Sequence, residues 1–94
     1  MSEIPTRVVF AADAVLQVID GDALILKLQD EAVFSLNESG ARIAELIVAG
    51  QTLEQIVTTL AGEYGRTPES ISADVRDLVH VLLSRGLLVA GDEG

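Results

Sequence analysis

Residues 14–28 have the sequence AVLQVIDGDALILKL, which predicts a β-hairpin. Two runs rich in apolar residues, 14–19 and 23–28, flank Asp20-Gly21-Asp22, and an Asp-Gly pair is typical of a tight turn between antiparallel strands. Along the second run the side chains alternate between two faces, as they do in a half-buried strand. One face carries Leu24, Leu26 and Leu28, and the other carries Ile25 and Lys27.

Short apolar runs lie on both sides of this hairpin. Val8 to Phe10 precedes it, and Ala32 to Leu36 follows it after the polar turn Gln29-Asp30-Glu31. Because polar turns of this length usually connect neighbouring antiparallel strands, the run 32–36 predicts a third strand. The first forty residues are therefore expected to form a three-stranded meander.

Three helices are predicted after the sheet. Each begins with a residue whose side-chain oxygen can accept the free amide hydrogens of the first turn, and each ends at a glycine. The caps are Asn37, Thr52 and Thr67, and the terminating glycines are Gly50, Gly65 and Gly86. Apolar residues keep helical spacing in all three. They are Ile43, Ala44, Ile47 and Val48, then Leu53, Ile56, Val57, Leu60, Ala61 and Tyr64, then Ile71, Val75, Leu78 and Leu82.

The third helix is more apolar than one packing face requires. Val79, Val81 and Leu83 widen its stripe, either because they pack against the sheet and the tail or because another segment lies beside them.

Together the elements predict an α+β fold of the winged helix-turn-helix type, with a three-stranded antiparallel sheet followed by three helices and a short return strand at 87–89. Residues 1–90 are expected to form one domain, with a disordered tail at 91–94.

Composition and charge narrow the function. Apolar residues make up 49% of the chain and aromatic residues 3%, so the core must consist of aliphatic side chains. No run approaches the ~18 apolar residues that span a bilayer, and the first residues do not resemble a signal peptide, which predicts a soluble cytoplasmic protein without membrane contact. The net charge of −9 opposes binding to nucleic acid and favours neutral or basic partners.

No residue pattern predicts catalysis, a metal or a cofactor. The chain has no cysteine, and His80, on the side of the third helix away from its apolar stripe, has no second ligand or nucleophile at a recognisable spacing. Acidic residues in the turns do not follow the spacing of a calcium loop, and no glycine-rich segment joins a strand to a helix. We therefore expect a protein that is not an enzyme.

The segment 23–89 resembles the PqqD-like family, the domains that recognise leader peptides of ribosomally made, modified peptides. The resemblance depends on the order and spacing of several short motifs. They are Leu24-Ile25-Leu26, Phe34-Ser35-Leu36-Asn37, Ser39-Gly40-Ala41-Arg42-Ile43, Gln51-Thr52-Leu53-Glu54-Gln55-Ile56, Tyr64-Gly65, and Asp74-Val75 leading through Leu78 and Leu82 to Arg85-Gly86-Leu87-Leu88.

The resemblance implies an adaptor that binds the leader of a precursor peptide and presents it to a peptide-modifying enzyme or a leader peptidase. In that family the leader pairs with the third strand, here 32–36, and lies against the third helix, here 74–83. The peptide-binding residues expected from this are Val33, Phe34, Ser35, Asp74, Val75, Arg76, Leu78, Val79 and Leu82. The segment 24–35 lacks the basic and aromatic character of PqqD proper, so it is closer to the small subunit of split lasso-peptide maturation proteins.

Two other functions remain open from the sequence. A winged-helix DNA-binding regulator would use the third helix for recognition, but Glu69, Asp74 and Asp77 outnumber Arg76 and Arg85 there. A structural subunit that completes a larger enzyme would need a constant partner and no affinity for free peptide. The sequence leaves the choice between monomer and dimer open.

Overall fold

A computed structural model describes residues 5–91 and has five strands and three helices in that part of the chain. The strands are β1 (Val8–Phe10), β2 (Ala14–Ile19), β3 (Asp22–Lys27), β4 (Ala32–Leu36) and β5 (Leu88–Ala90). The helices are α1 (Glu38–Val48), α2 (Leu53–Tyr64) and α3 (Pro68–Ser84). The predicted α+β arrangement, a three-stranded antiparallel sheet followed by three helices, is confirmed.

The sheet has the order β2–β3–β4, with both pairs antiparallel. The turn between β2 and β3 places Asp20 and Gly21 at φ values of 52° and 88°, which are the left-handed angles that a two-residue hairpin turn requires. In the resulting register Ile25 lies opposite Leu16 on one side and Phe34 on the other. The Asp-Gly signal thus fixes which side chains share a face of the sheet.

β3 is half-buried, as its alternation predicts, and the face that holds Ile25 is the one that packs against the helices. Ala23 and Ile25 are 2% and 0% exposed, whereas Leu24 and Leu26 on the other face are only partly buried and Leu28 is 60% exposed. Helix α1 covers the Ile25 face and contacts β3, β4 and β1. We call the uncovered face, which carries Val15, Ile19, Leu24, Leu26 and Val33, the outer sheet face.

The return strand is present but pairs outside the three-stranded sheet. β5 pairs antiparallel with β1, with Val8 opposite Ala90 and Phe10 opposite Leu88. The N–H of Gly91 extends this pairing by donating to the carbonyl oxygen of Arg7 at 2.7 Å. Gly91 is the one described residue of the tail predicted to be disordered, and residues 92–94 lie outside the described part of the chain.

The helices begin and end where the sequence predicts. Thr52 and Gln55 form a reciprocal capping box at the start of α2, and Gly65 ends that helix at a φ of 64°. The stripe of α1 differs from the prediction at two positions, because Leu46 is buried at 5% exposure and Val48 is 64% exposed. The core unites α1, α2 and α3 with the sheet through residues such as Ile25, Ile56, Leu60, Val79 and Leu82.

Candidate functional site: the β4 edge and the groove beside α3

β4 has one edge that no other strand pairs with among residues 5–91. Its partner on the inner side is β3, and the sheet order ends at β4. In an antiparallel ladder alternate residues direct their N–H and C=O groups to opposite sides, so about half of the backbone groups of this strand point away from β3. Such an edge can bind an extended peptide through main-chain hydrogen bonds.

A groove of about 400 Å³ runs beside this edge. The end of β4 and the start of α1 form one wall, α3 forms the other, and the end of α2 closes one side. Apolar lining residues include Phe34, Leu36, Ile43, Leu78 and Val81. A strand edge beside an apolar groove offers both main-chain pairing and side-chain pockets to one peptide.

Five of the nine predicted site residues line this groove. They are Phe34, Ser35, Asp74, Val75 and Leu78. Phe34 and Leu78 are partly buried and pack against the core, so each presents one side to the groove. The remaining four, Val33, Arg76, Val79 and Leu82, are not part of the groove lining.

The helix prediction needs a correction because three of its residues belong to the core. Val75, Val79 and Leu82 are each 0% exposed, so they support α3 from inside and offer no surface for contact with a peptide. Val75 lies beneath the groove without reaching solvent. Helical spacing predicts an apolar stripe on α3, but it does not show which side of the stripe faces the core and which side faces the groove.

Arg76 and Val33 point to other surfaces. Arg76 lines a separate cavity of about 920 Å³ on the far side of α3, together with Leu53 and Val57 of α2. Val33 lies opposite Leu26, and it therefore belongs to the outer sheet face, whereas Phe34 faces the helices. Alternation along β4 accounts for this separation, since adjacent side chains in a strand point to opposite faces.

The groove lining has eleven residues that the sequence prediction of the site did not include, among them Leu36, Tyr64, Arg66 and Val81. Val81 belongs to the apolar surface that the sequence predicts beyond the needs of packing, and its 37% exposure shows that this part of α3 remains uncovered in residues 5–91. Tyr64 and Arg66 belong to the end of α2 and the loop after it. No local pattern brings them to α3, because the packing of α2 on α3 determines their position.

The groove lining has three charged side chains, the acidic Asp74 and Asp77 and the basic Arg66. Arg66 Nη1 lies 3.2 Å from Asp74 Oδ2, and another guanidinium nitrogen of Arg66 donates to Ser70 Oγ. Asp77 is exposed and has no ion-pair partner among residues 5–91. At the middle of β4 the guanidinium of Arg85, which is not part of the groove lining, stacks over the Phe34 ring, with its central carbon 5.2 Å from the ring centroid.

An ion pair between α1 and α2 holds the helices that border the groove. Arg42 Nη2 lies 2.6 Å from Glu63 Oε2, and Arg42 also bonds Glu45. The hydrogen bond from Arg42 lowers the pKa of the Glu63 carboxyl, and the same contacts raise the pKa of Arg42. Both side chains remain about one third exposed, so the pair contributes little to stability.

Within residues 5–91, no group of three or more His, Cys, Asp or Glu side chains lies close enough together to hold a metal ion. His80 is exposed, as predicted. No helix in the same part of the chain is long and apolar enough to cross a membrane.

A family model described as coenzyme PQQ synthesis protein D (PqqD) matches residues 22–88, which is more than half of the chain. The chain belongs to the PqqD family. The match includes β3, β4, all three helices and the start of β5, so it contains both walls of the groove. The predicted family resemblance is therefore confirmed.

Two solved structures have the same fold as this PqqD-family chain. TbiB1 in complex with the TbiA(beta) leader peptide superposes with a TM-score of 0.84 at 28% identity, covering 90% of this chain and 99% of that chain. Lasso peptide synthetase B1 complexed with the leader peptide has the same fold, with a TM-score of 0.81 at 18% identity over 88% of this chain and 98% of that chain. Among curated proteins, no sequence matches significantly.

Proposed function

We propose that this chain is a leader-peptide-binding adaptor. It captures the leader of a ribosomally made precursor peptide as an added strand on β4 and presents the precursor to a modifying enzyme or leader peptidase. The observation that carries the proposal is the unpaired edge of β4 beside the 400 Å³ groove, in a fold shared with TbiB1, which was solved with a leader peptide.

The binding mode follows from the strand and the groove. A leader aligned with β4 forms main-chain hydrogen bonds that are independent of its sequence, and every second side chain then points towards α3. Phe34, Leu78 and Val81 provide apolar contact for those side chains. Selection between leaders therefore comes from the groove, while the strand edge contributes affinity for extended peptides in general.

The acidic residues set a further preference. Asp77 borders the groove without an ion-pair partner in the described part of the chain, and the whole protein carries a net charge of −9. A leader with a Lys or Arg at the position that passes Asp77 gains a favourable contact, although an exposed pair contributes only about 0.2–1 kcal/mol. The long-range charge acts chiefly on the rate of association with basic peptides.

In this function the chain has no catalytic step of its own, and the chemistry on the precursor belongs to the partner enzyme. The acidic residues on α3 argue against the alternative of a DNA-binding regulator, because Glu69, Asp74 and Asp77 are all exposed.

A leader of ten to fifteen residues buries on the order of 1,000 Å², the lower range for specific interfaces, and the entropy cost of ordering the leader offsets part of the binding free energy. We expect a Kd between about 10 nM and about 1 μM.

The test is a fluorescence-anisotropy titration of labelled leader peptides from short precursors encoded beside this chain. A scrambled leader of the same composition is the control, and a DNA duplex is titrated in parallel. Saturable binding to the true leader alone supports the adaptor. A folded protein that binds no leader would refute it, and salt-sensitive duplex binding would support the regulator instead.

A further inference from the structure

Five of the eight strand residues on the outer sheet face are apolar, although no strand or helix among residues 5–91 covers that face, and the other three are Gln17, Asp22 and Ser35. Val15, Ile19 and Val33 are 43%, 49% and 60% exposed, and the register places Leu26 between Val15 and Val33 in one continuous row. A sheet packed on one side normally carries polar residues on the other. Strand propensity accounts for valine and isoleucine but not for Leu24 and Leu26, which lack a branched Cβ. Contiguous exposed apolar surface of this kind marks an interaction site.

The ends of this face are acidic and its strands are not basic. The hairpin turns carry Asp20 and Asp22 at one end and Asp30 and Glu31 at the other, and of these Asp30 forms an ion pair with Lys27, with Oδ2 3.6 Å from Nζ. Lys27 is the one basic residue in the three strands, and it lies on the inner face, where its Nζ bonds Asp13 Oδ2 at 3.0 Å. A complementary surface therefore has an apolar centre flanked by Lys or Arg.

We infer that the outer sheet face docks the enzyme that processes the bound precursor, through an apolar surface of that enzyme rimmed by basic residues. A second copy of this chain fits less well. It would bring the same acidic turns together, and each copy carries a net charge of −9. The inference rests on the proposed function for the identity of the partner and on the outer sheet face for the location.

This location links docking to leader capture. A leader added to β4 extends the sheet, and the side chains that do not enter the groove stand beside Val33 and Ser35 on the outer sheet face. An enzyme seated there contacts this chain and the leader together. Because linkage is reciprocal, the leader strengthens enzyme binding by the same factor by which the enzyme strengthens leader binding.

The test measures binding of the purified leader peptidase or modifying enzyme encoded beside this chain, with and without saturating leader. Val15→Lys places a positive charge in the apolar centre, and Asp22→Lys reverses the acidic rim. Val48→Lys is the matched control, since Val48 is 64% exposed at the end of α1, away from this face. We expect at least a tenfold loss of enzyme affinity for the first two variants and no change for the control.

Leader affinity serves as the internal check. Val15 lies on β2, two strands and about 9–10 Å from β4, so Val15→Lys should bind the leader within twofold of the wild type. Wild-type enzyme affinity for both Lys variants, with intact leader binding, would overturn the inference and leave the adaptor proposal standing. Absence of leader binding by the wild type would instead refute the adaptor proposal, while the enzyme titration would still test the face.

A measurement of self-association tests whether a second copy of this chain covers the outer sheet face. Sedimentation equilibrium over a range of concentrations should give a monomer for the wild type. A dimer that Val15→Lys dissociates would assign the outer sheet face to a second copy and overturn the inference. Circular dichroism establishes that each variant is folded, and if Val15→Lys is not, Asp22→Lys at an exposed turn position carries the test.

Discussion

Replacement of Val81 by lysine should separate leader binding from folding. Val81 lines the groove and is 37% exposed, so a bound peptide can cover about the last third of its surface. Complete burial of a valine is worth roughly 1.5 kcal/mol at the low end, and covering a third of it contributes about 0.5 kcal/mol. A lysine there also brings a charged group whose partial loss of water costs about 1–2 kcal/mol more.

The sum, about 2 kcal/mol, corresponds to a loss of about thirtyfold in leader affinity. Folding should be nearly unaffected, since surface substitutions usually change stability by less than about 0.5 kcal/mol and a cation suits the last turns of a helix. The measurement is leader anisotropy, with thermal unfolding monitored by circular dichroism.

His80→Lys is the matched control for Val81→Lys. It adds the same charge one residue earlier, on an exposed side of α3 that is not part of the groove lining. Wild-type leader affinity in Val81→Lys, with folding intact, would show that the peptide does not lie against this part of α3. An equal loss in both variants would attribute the effect to long-range charge rather than to contact.

Three further outcomes follow from the same geometry. N-methylation of successive leader amides should weaken binding at every second position, because alternate backbone groups of an added strand face β4, and a uniform profile would exclude strand pairing. Ile25→Ala should lower the free energy of unfolding by about 2–5 kcal/mol in urea titrations, whereas Val33→Ala, 60% exposed, should change it by less than about 0.5 kcal/mol. The hydrogen bond from Lys27 lowers the pKa of Asp13 below its ordinary 3.8. The free energy of unfolding should therefore fall as the pH drops through the pKa that Asp13 has in the folded protein. Asp13→Asn should flatten this acid dependence, and an unchanged slope would contradict it.

The fold was largely predictable because local signals agreed with one another. The Asp20-Gly21 pair set the hairpin, and the caps Asn37, Thr52 and Thr67 set the starts of the helices. Each of these signals acts through a few neighbouring residues, which is why sequence alone reveals it. The pairing of β5 with β1 joins residues about eighty positions apart, and no short-range pattern predicts it.

The predicted site residues divide in the structure into those that line the groove and those that lie in the core or on other surfaces. Placement beside the third strand and third helix came from the family resemblance, and Phe34 and Leu78 do line the groove. Periodicity failed at Val79 because apolar residues occur around more than half of α3, so the sequence could not say which of them the core takes. Helical spacing predicts Tyr64 as the last residue of a buried stripe, but Tyr64 is 42% exposed where α2 meets the groove.

The antiparallel pairing of β1 with β5 brings the two ends of the described chain side by side. The hydrogen bond between Gly91 and Arg7 places both exits at one point on the surface, and β4 pairs with neither of these strands. A module with this arrangement suits insertion into a surface loop of a host protein, and a short linker between its ends would permit circular permutation. New termini at the Gly50 turn would then leave β4 continuous, which makes this scaffold suitable for grafting onto peptide-processing enzymes.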